Sequence, residues 1–150
     1  LQYMKTFNFL IIFFYLITFN NILKADINIS LKEYLKSQNI EKTSTQIYLL
    51  NRCSALYTYV SAIILKTDSS NSKKFIEIAN SLLFKSIELR IIDNEQKLEN
   101  ARDKAETERE NLFKSYTKDG TKNWDKNNSY FKGSYISEDI SICEKLVKDN

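Results

Sequence analysis

Proline is absent from this chain of 150 residues, and glycine occurs only twice, at Gly120 and Gly133. Sheets and hairpins rely on those two residue types to reverse the backbone and to occupy left-handed conformations at tight turns. A chain almost without them is pushed toward helices, which need punctuation only at their ends. The predicted fold class is therefore all-α. It is a small helical hairpin or bundle with one long helix, free to project, and a C-terminal helix held by a disulfide.

Periodicity and caps place the elements. Ser30-Leu31-Lys32-Glu33 has the S-x-x-E form of a capping box and opens a short helix to about Lys36. Thr43-Ser44-Thr45-Gln46 repeats the device, and Leu49, Cys53, Leu56, Tyr57, Val60 and Ile64 follow on one helical face, predicting a helix over 44–66. The polar stretch Asp68–Ser72 reverses the chain. A second long helix is expected over 73–118, with Phe75, Ile78, Ala79, Leu82, Leu83 and Ile87 inward. Beyond it Ile91, Leu98, Ala105 and Leu112 recur every seven residues, a partial coiled-coil seam. Unbroken, that helix would be roughly 70 Å long at 1.5 Å per residue. Pairs at Asp93/Lys97 and Glu110/Lys114 favour continuity, the alternative being a break near Asp93-Asn94. Gly120 is expected to stop it. Ser137, with Glu138 and Asp139 behind it, reads as the start of a last helix whose inward face is Ile140, Cys143, Leu146 and Val147.

In front of these helices Lys5 precedes an apolar run, Phe9–Phe19, whose single polar residue is Thr18. About 11 such residues are too few for a bilayer span of roughly 20. A basic start, a short apolar core and Ala25 match a secretory signal peptide, residues 1–25, cleaved after Ala25, although Leu23 is larger than the cleavage pattern prefers. Residues 26–150 then form a single helical domain. The alternative is an uncleaved membrane anchor. Export implies the periplasm in a Gram-negative bacterium and secretion otherwise.

Cys53 and Cys143 are the only thiols, each on the inward face of its own helix. Two cysteines in an exported chain are expected to pair, since the compartment is oxidising and a small core gains from a cross-link. Closing a loop of about 90 residues stabilises the fold by roughly 4 kcal/mol on the chain-entropy account.

Several chemistries lack their residues. With no histidine, the Ser-His and Cys-His nucleophile systems and most zinc sites are excluded, and two isolated glycines build no phosphate loop. No cofactor or metal is implied. The chain carries 22 basic and 19 acidic residues; removing Lys5 and Lys24 with the leader leaves 20 against 19, a net charge of +1. Phosphate neutralisation wants a larger basic excess, so no nucleic-acid partner is expected. The pairs Glu95/Glu99 and Glu106/Glu110 could serve a carboxylate-dependent hydrolase, but alternating charge of this kind reads first as a solvated helix face. The remaining candidate surface is the aromatic group Trp124, Tyr130, Phe131 and Tyr135 in an Asn-rich stretch, which either folds onto the core or stays exposed for contact. The expected function is thus non-enzymatic contact with a protein partner or a second copy, and with a membrane only if the leader is retained.

Overall fold

The computed structural model describes residues 29–148, which form five helices. They are α1 (Leu31–Ser37), α2 (Thr43–Ile64), α3 (Ser69–Asn94), α4 (Leu98–Asn127) and α5 (Tyr135–Lys148). The expected signal peptide, residues 1–25, lies outside the described residues. Among the described residues there is no strand, and no helix is long and apolar enough to cross a membrane.

The axis of the molecule is α2, in which every residue from Leu49 to Tyr57 is buried. It is covered on all sides, not along one stripe: α3 and α4 pack against it and against each other, while α5 and α1 close the remaining side. Polar residues of α2 are therefore inside, and α3 satisfies the two serines among them, Ser54 and Ser61. Ser54 Oγ donates to the Ala79 carbonyl at 2.7 Å, and Ser61 and Ser72 each donate to the other's carbonyl at 2.9 and 3.0 Å. Such a partner offsets the cost of withdrawing a hydroxyl from water.

The caps differ from expectation in two places. Ser30 caps α1 as its sequence suggests, accepting from the Glu33 N–H at 3.3 Å. At α2 the capping position is Lys42, without a side-chain bond. The Thr43 hydroxyl instead donates to Asp93 Oδ2 at 2.6 Å, tying the start of α2 to the end of α3. Asp68 then caps α3 by accepting from the Asn71 N–H at 3.0 Å, so the reversal is shorter than Asp68–Ser72 and α3 begins at Ser69.

The helix expected over 73–118 is two helices. Glu95 takes the left-handed conformation, φ 51°, and the N–H groups of Glu95 and Gln96 both close on the Arg90 carbonyl. A side chain costs roughly 1–2 kcal/mol in that conformation. The turn offsets it by folding α4 back onto α3, where Leu83 and Ile87 bury themselves with Ala101 and Ala105 in a second small core. The break also dissolves the seven-residue seam: Leu98 is 63% exposed while Ala105 and Leu112 are buried. Lys97 now lies outside the helix, whereas Glu110 and Lys114 do pair, at 2.6 Å.

Gly120 does not end α4, which continues to Asn127 and closes through left-handed Asn128. The absence of a side chain at Gly120 serves close approach instead. A Cβ there would overlap the Tyr59 hydroxyl and lie 2.7 Å from its Cζ. Tyr59 is itself buried, edge-on to Phe131 at 6.0 Å and stacked near Tyr116 at 6.1 Å, so it has little room to yield. Gly120→Ala is expected to destabilise the protein by about 1–3 kcal/mol through overpacking, even though alanine is the better helix former by ~1 kcal/mol. Tyr59→Phe, which removes a hydroxyl with no partner among the described residues, is expected to be neutral or slightly stabilising. Urea unfolding of the two variants checks both.

Candidate functional site

Cys53 of α2 and Cys143 of α5 form a disulfide, both fully buried, with Cα atoms 5.4 Å apart. Ser137 is the expected cap of α5, which would then open at Glu138, but the helix starts three residues earlier, at Tyr135, with Ser134 Oγ accepting from the Ile136 N–H at 3.3 Å. This extends the inward face by one turn. Ile136, Asp139 and Cys143 are its fully buried residues, and Ile140, Leu146 and Val147 are half-buried at its flanks.

Asp139 is the consequential member. Its sequence position suggests a solvated carboxylate complementing the helix dipole; it lies instead in the core against Arg52, the neighbour of Cys53. Arg52 Nη2 and Nε donate to Asp139 Oδ2 at 2.6 and 3.0 Å, and the Tyr116 hydroxyl donates to the same oxygen at 2.6 Å. Asp139 Oδ1 accepts the Leu31 N–H at 2.6 Å. Arg52 Nη1 donates to Tyr48 Oη at 3.0 Å and Nη2 to the Ile29 carbonyl at 2.7 Å, while the Tyr48 and Tyr135 rings lie 5.9 and 5.7 Å from the guanidinium carbon. Four segments of chain therefore converge on one ion pair: the entry to α1, then α2, α4 and α5.

Burial works against the charge on Arg52, but the Tyr116 and Asp139 groups outweigh it and raise its pKa. Burial is also the main reason that Tyr116 holds its proton far above the ordinary phenol value. Tyr135 behaves likewise, first through burial and then because its hydroxyl donates to Asp119 at 2.8 Å. Chemically the cluster is closed. Both Asp139 oxygens and three guanidinium nitrogens are engaged, and neither side chain reaches solvent. Such a pair holds parts together; it presents nothing to a substrate. A sequence signal for it exists in retrospect. Asp139 shares a helical face with Ile136 and Cys143, and Arg52 interrupts the run Leu49-Leu50-Asn51-Arg52-Cys53-Ser54-Ala55-Leu56.

The four aromatic residues separate into two pairs. Phe131 packs edge-on to Tyr59, and Tyr135 faces Tyr116 and Arg52, so both belong largely to the core. Trp124 remains 42% exposed and stacks on Tyr130 with ring centroids 4.6 Å apart. Asn123 builds this pair: its Nδ2 donates to the carbonyls of Ser129 and Lys132 at 2.6 and 2.9 Å, and its Oδ1 accepts from Asn127. Left-handed Asn128 and Gly133, φ 81°, bracket the loop. The acid pairs Glu95/Glu99 and Glu106/Glu110 stand exposed on the surface, and Glu110 is held low by its hydrogen bond to Lys114.

Two consequences can be measured. Asp139→Asn leaves a buried guanidinium without its counter-charge and is expected to cost about 3–5 kcal/mol, whereas replacing Arg52 and Asp139 together by leucine is expected to recover most of that loss; urea denaturation compares them. The alkaline limb follows from the tyrosines. Folding raises Tyr116, Tyr135 and Tyr59 above the ordinary value of 10, Tyr59 to about 12 through burial and then Tyr130. Their contribution to stability is complete below pH 10. Above it the unfolded chain releases protons that the native chain retains, so stability falls as pH rises. Phenolate absorbance is expected to include a late, cooperative step coinciding with loss of helical ellipticity. Comparison of the chain with family models, with curated proteins and with solved structures gives no match.

Proposed function

We propose that this is a small exported protein that acts by contact, presenting the stacked pair Trp124 and Tyr130 to a protein partner. The observation that carries the reading is a large aromatic side chain, Trp124, left 42% exposed near the end of α4 and stacked on Tyr130 from the loop that Asn123 ties down. Aromatic anchors of this kind dominate protein interfaces, and one already ordered loses little freedom on binding. The bundle behind it is braced by a disulfide and a buried ion pair, so the platform has a rigid base.

Export rests on the leader pattern of residues 1–25 together with the Cys53–Cys143 bridge, which an oxidising compartment favours. The periplasm of a Gram-negative bacterium or the extracellular space would supply it. The acid pairs Glu95/Glu99 and Glu106/Glu110 stand exposed on the surface and Asp139 is fully occupied by its hydrogen bonds, so these carboxylates do not favour the hydrolase reading.

The test is affinity capture from the compartment where the protein accumulates, with the double variant Trp124→Ala/Tyr130→Ser run beside the unaltered chain. A partner retained by the unaltered chain and lost at least tenfold by the variant is the expected result. Equal retention by both, with circular dichroism showing an intact fold, rules out this surface. Intact mass of the captured chain is expected to begin at Asp26; a mass that includes the leader favours the anchored form.

A further inference from the structure

The Arg52–Asp139 pair has its hydrogen bonds satisfied. A second polar cluster, where α2, α3 and α4 meet, does not. Asn51 Nδ2 and Arg90 Nη2 donate to the same oxygen of Glu108, the first at 2.6 Å. This leaves Asn51 Oδ1 and Arg90 Nε without a hydrogen-bond partner among the described residues, and Ser86 Oγ, one turn before Arg90 on α3, is in the same condition. Asn51 and Ser86 are fully buried and Arg90 nearly so. The bonds Thr43–Asp93 and Ser54–Ala79 run α2 and α3 antiparallel and bring Asn51 level with the turn of α3 that ends at Ser86. We propose that Asn51 Oδ1, Ser86 Oγ and Arg90 Nε together bind one water molecule, which bridges α2 and α3 beside the Glu108 carboxylate.

The chemistry of the three atoms selects that occupant. Asn51 Oδ1 only accepts, Arg90 Nε–H only donates, and the Ser86 hydroxyl does either. Whatever sits among them must donate to one and accept from another. A cation would face the Arg90 guanidinium, and an anion would face both the Glu108 carboxylate and the Asn51 carbonyl. Water is neutral, offers two donors and two acceptors, and commonly serves groups of this kind in protein interiors. Helical serines often satisfy themselves on the carbonyl one turn back. Ser86 does not, which leaves its hydroxyl available. The Glu108 side chain, 47% exposed, marks the side from which the water exchanges with solvent.

Oxygen-17 relaxation dispersion on the whole chain tests the assignment. The unaltered protein is expected to show a long-lived internal water whose contribution disappears in Ser86→Val, where the added methyl groups occupy its place. An amplitude identical in Ser86→Val and the unaltered protein overturns the proposal. If that variant does not fold, a crystal structure of the unaltered chain decides. Density within roughly 3.2 Å of all three atoms supports the site, and direct pairing of the three side chains with one another refutes it.

Discussion

The interaction on which the rest of the structure depends is the buried pair of Arg52 and Asp139. A charge withdrawn from water is costly, and a buried ion pair is not by itself a source of stability. Its effect is selective. Arg52 can satisfy its guanidinium only when α5 supplies Asp139, the start of α1 supplies the Ile29 carbonyl and Tyr48 turns its hydroxyl inward. Asp139 in turn needs the Leu31 N–H and Tyr116 from α4. Hydrophobic burial alone is non-directional and accepts more than one packing of amphipathic helices; pairing these groups needs α1, α2, α4 and α5 in this arrangement. The network therefore discriminates among folds more than it deepens the native one.

The disulfide works beside it on the opposite state. Cys53 follows Arg52 directly and Cys143 lies one turn beyond Asp139, so the covalent link and the ion pair join the same two helices at the same level. The bridge restricts the unfolded chain by closing a long loop. The ion pair restricts the folded one. Together they hold α5, the shortest helix flanking α2 apart from α1, against a core that it covers with only three fully buried side chains.

That rigidity reaches the surface through α4. Gly120 lets the helix pass against Tyr59 without a break, so α4 runs on to Asn127, and Asn123 near its end folds the following loop back on itself. Phe131 descends into the core while Tyr130 stays above and stacks on Trp124. The exposed pair is thus the outer layer of a continuous aromatic packing, which explains why a polar, Asn-rich segment presents ordered rings.

The sequence by itself determined the helical class, the short capped α1, and the inward placement and pairing of the two cysteines. These follow from local rules, namely periodicity, caps and the scarcity of turn residues, which act within a few positions along the chain. Only the tertiary structure decided that Glu95 would adopt a left-handed turn, that Gly120 would lie inside a helix, and that Arg52, Asn51 and Asp139 would be buried. Each of those outcomes depends on a group far away in sequence: α4 folding back onto Leu83 and Ile87, Tyr59 occupying the space above Gly120, and Asp139 meeting Arg52 across 87 positions. The cost of a strained backbone or a buried charge is local, but the contact that offsets it is not, and a linear pattern contains only the first.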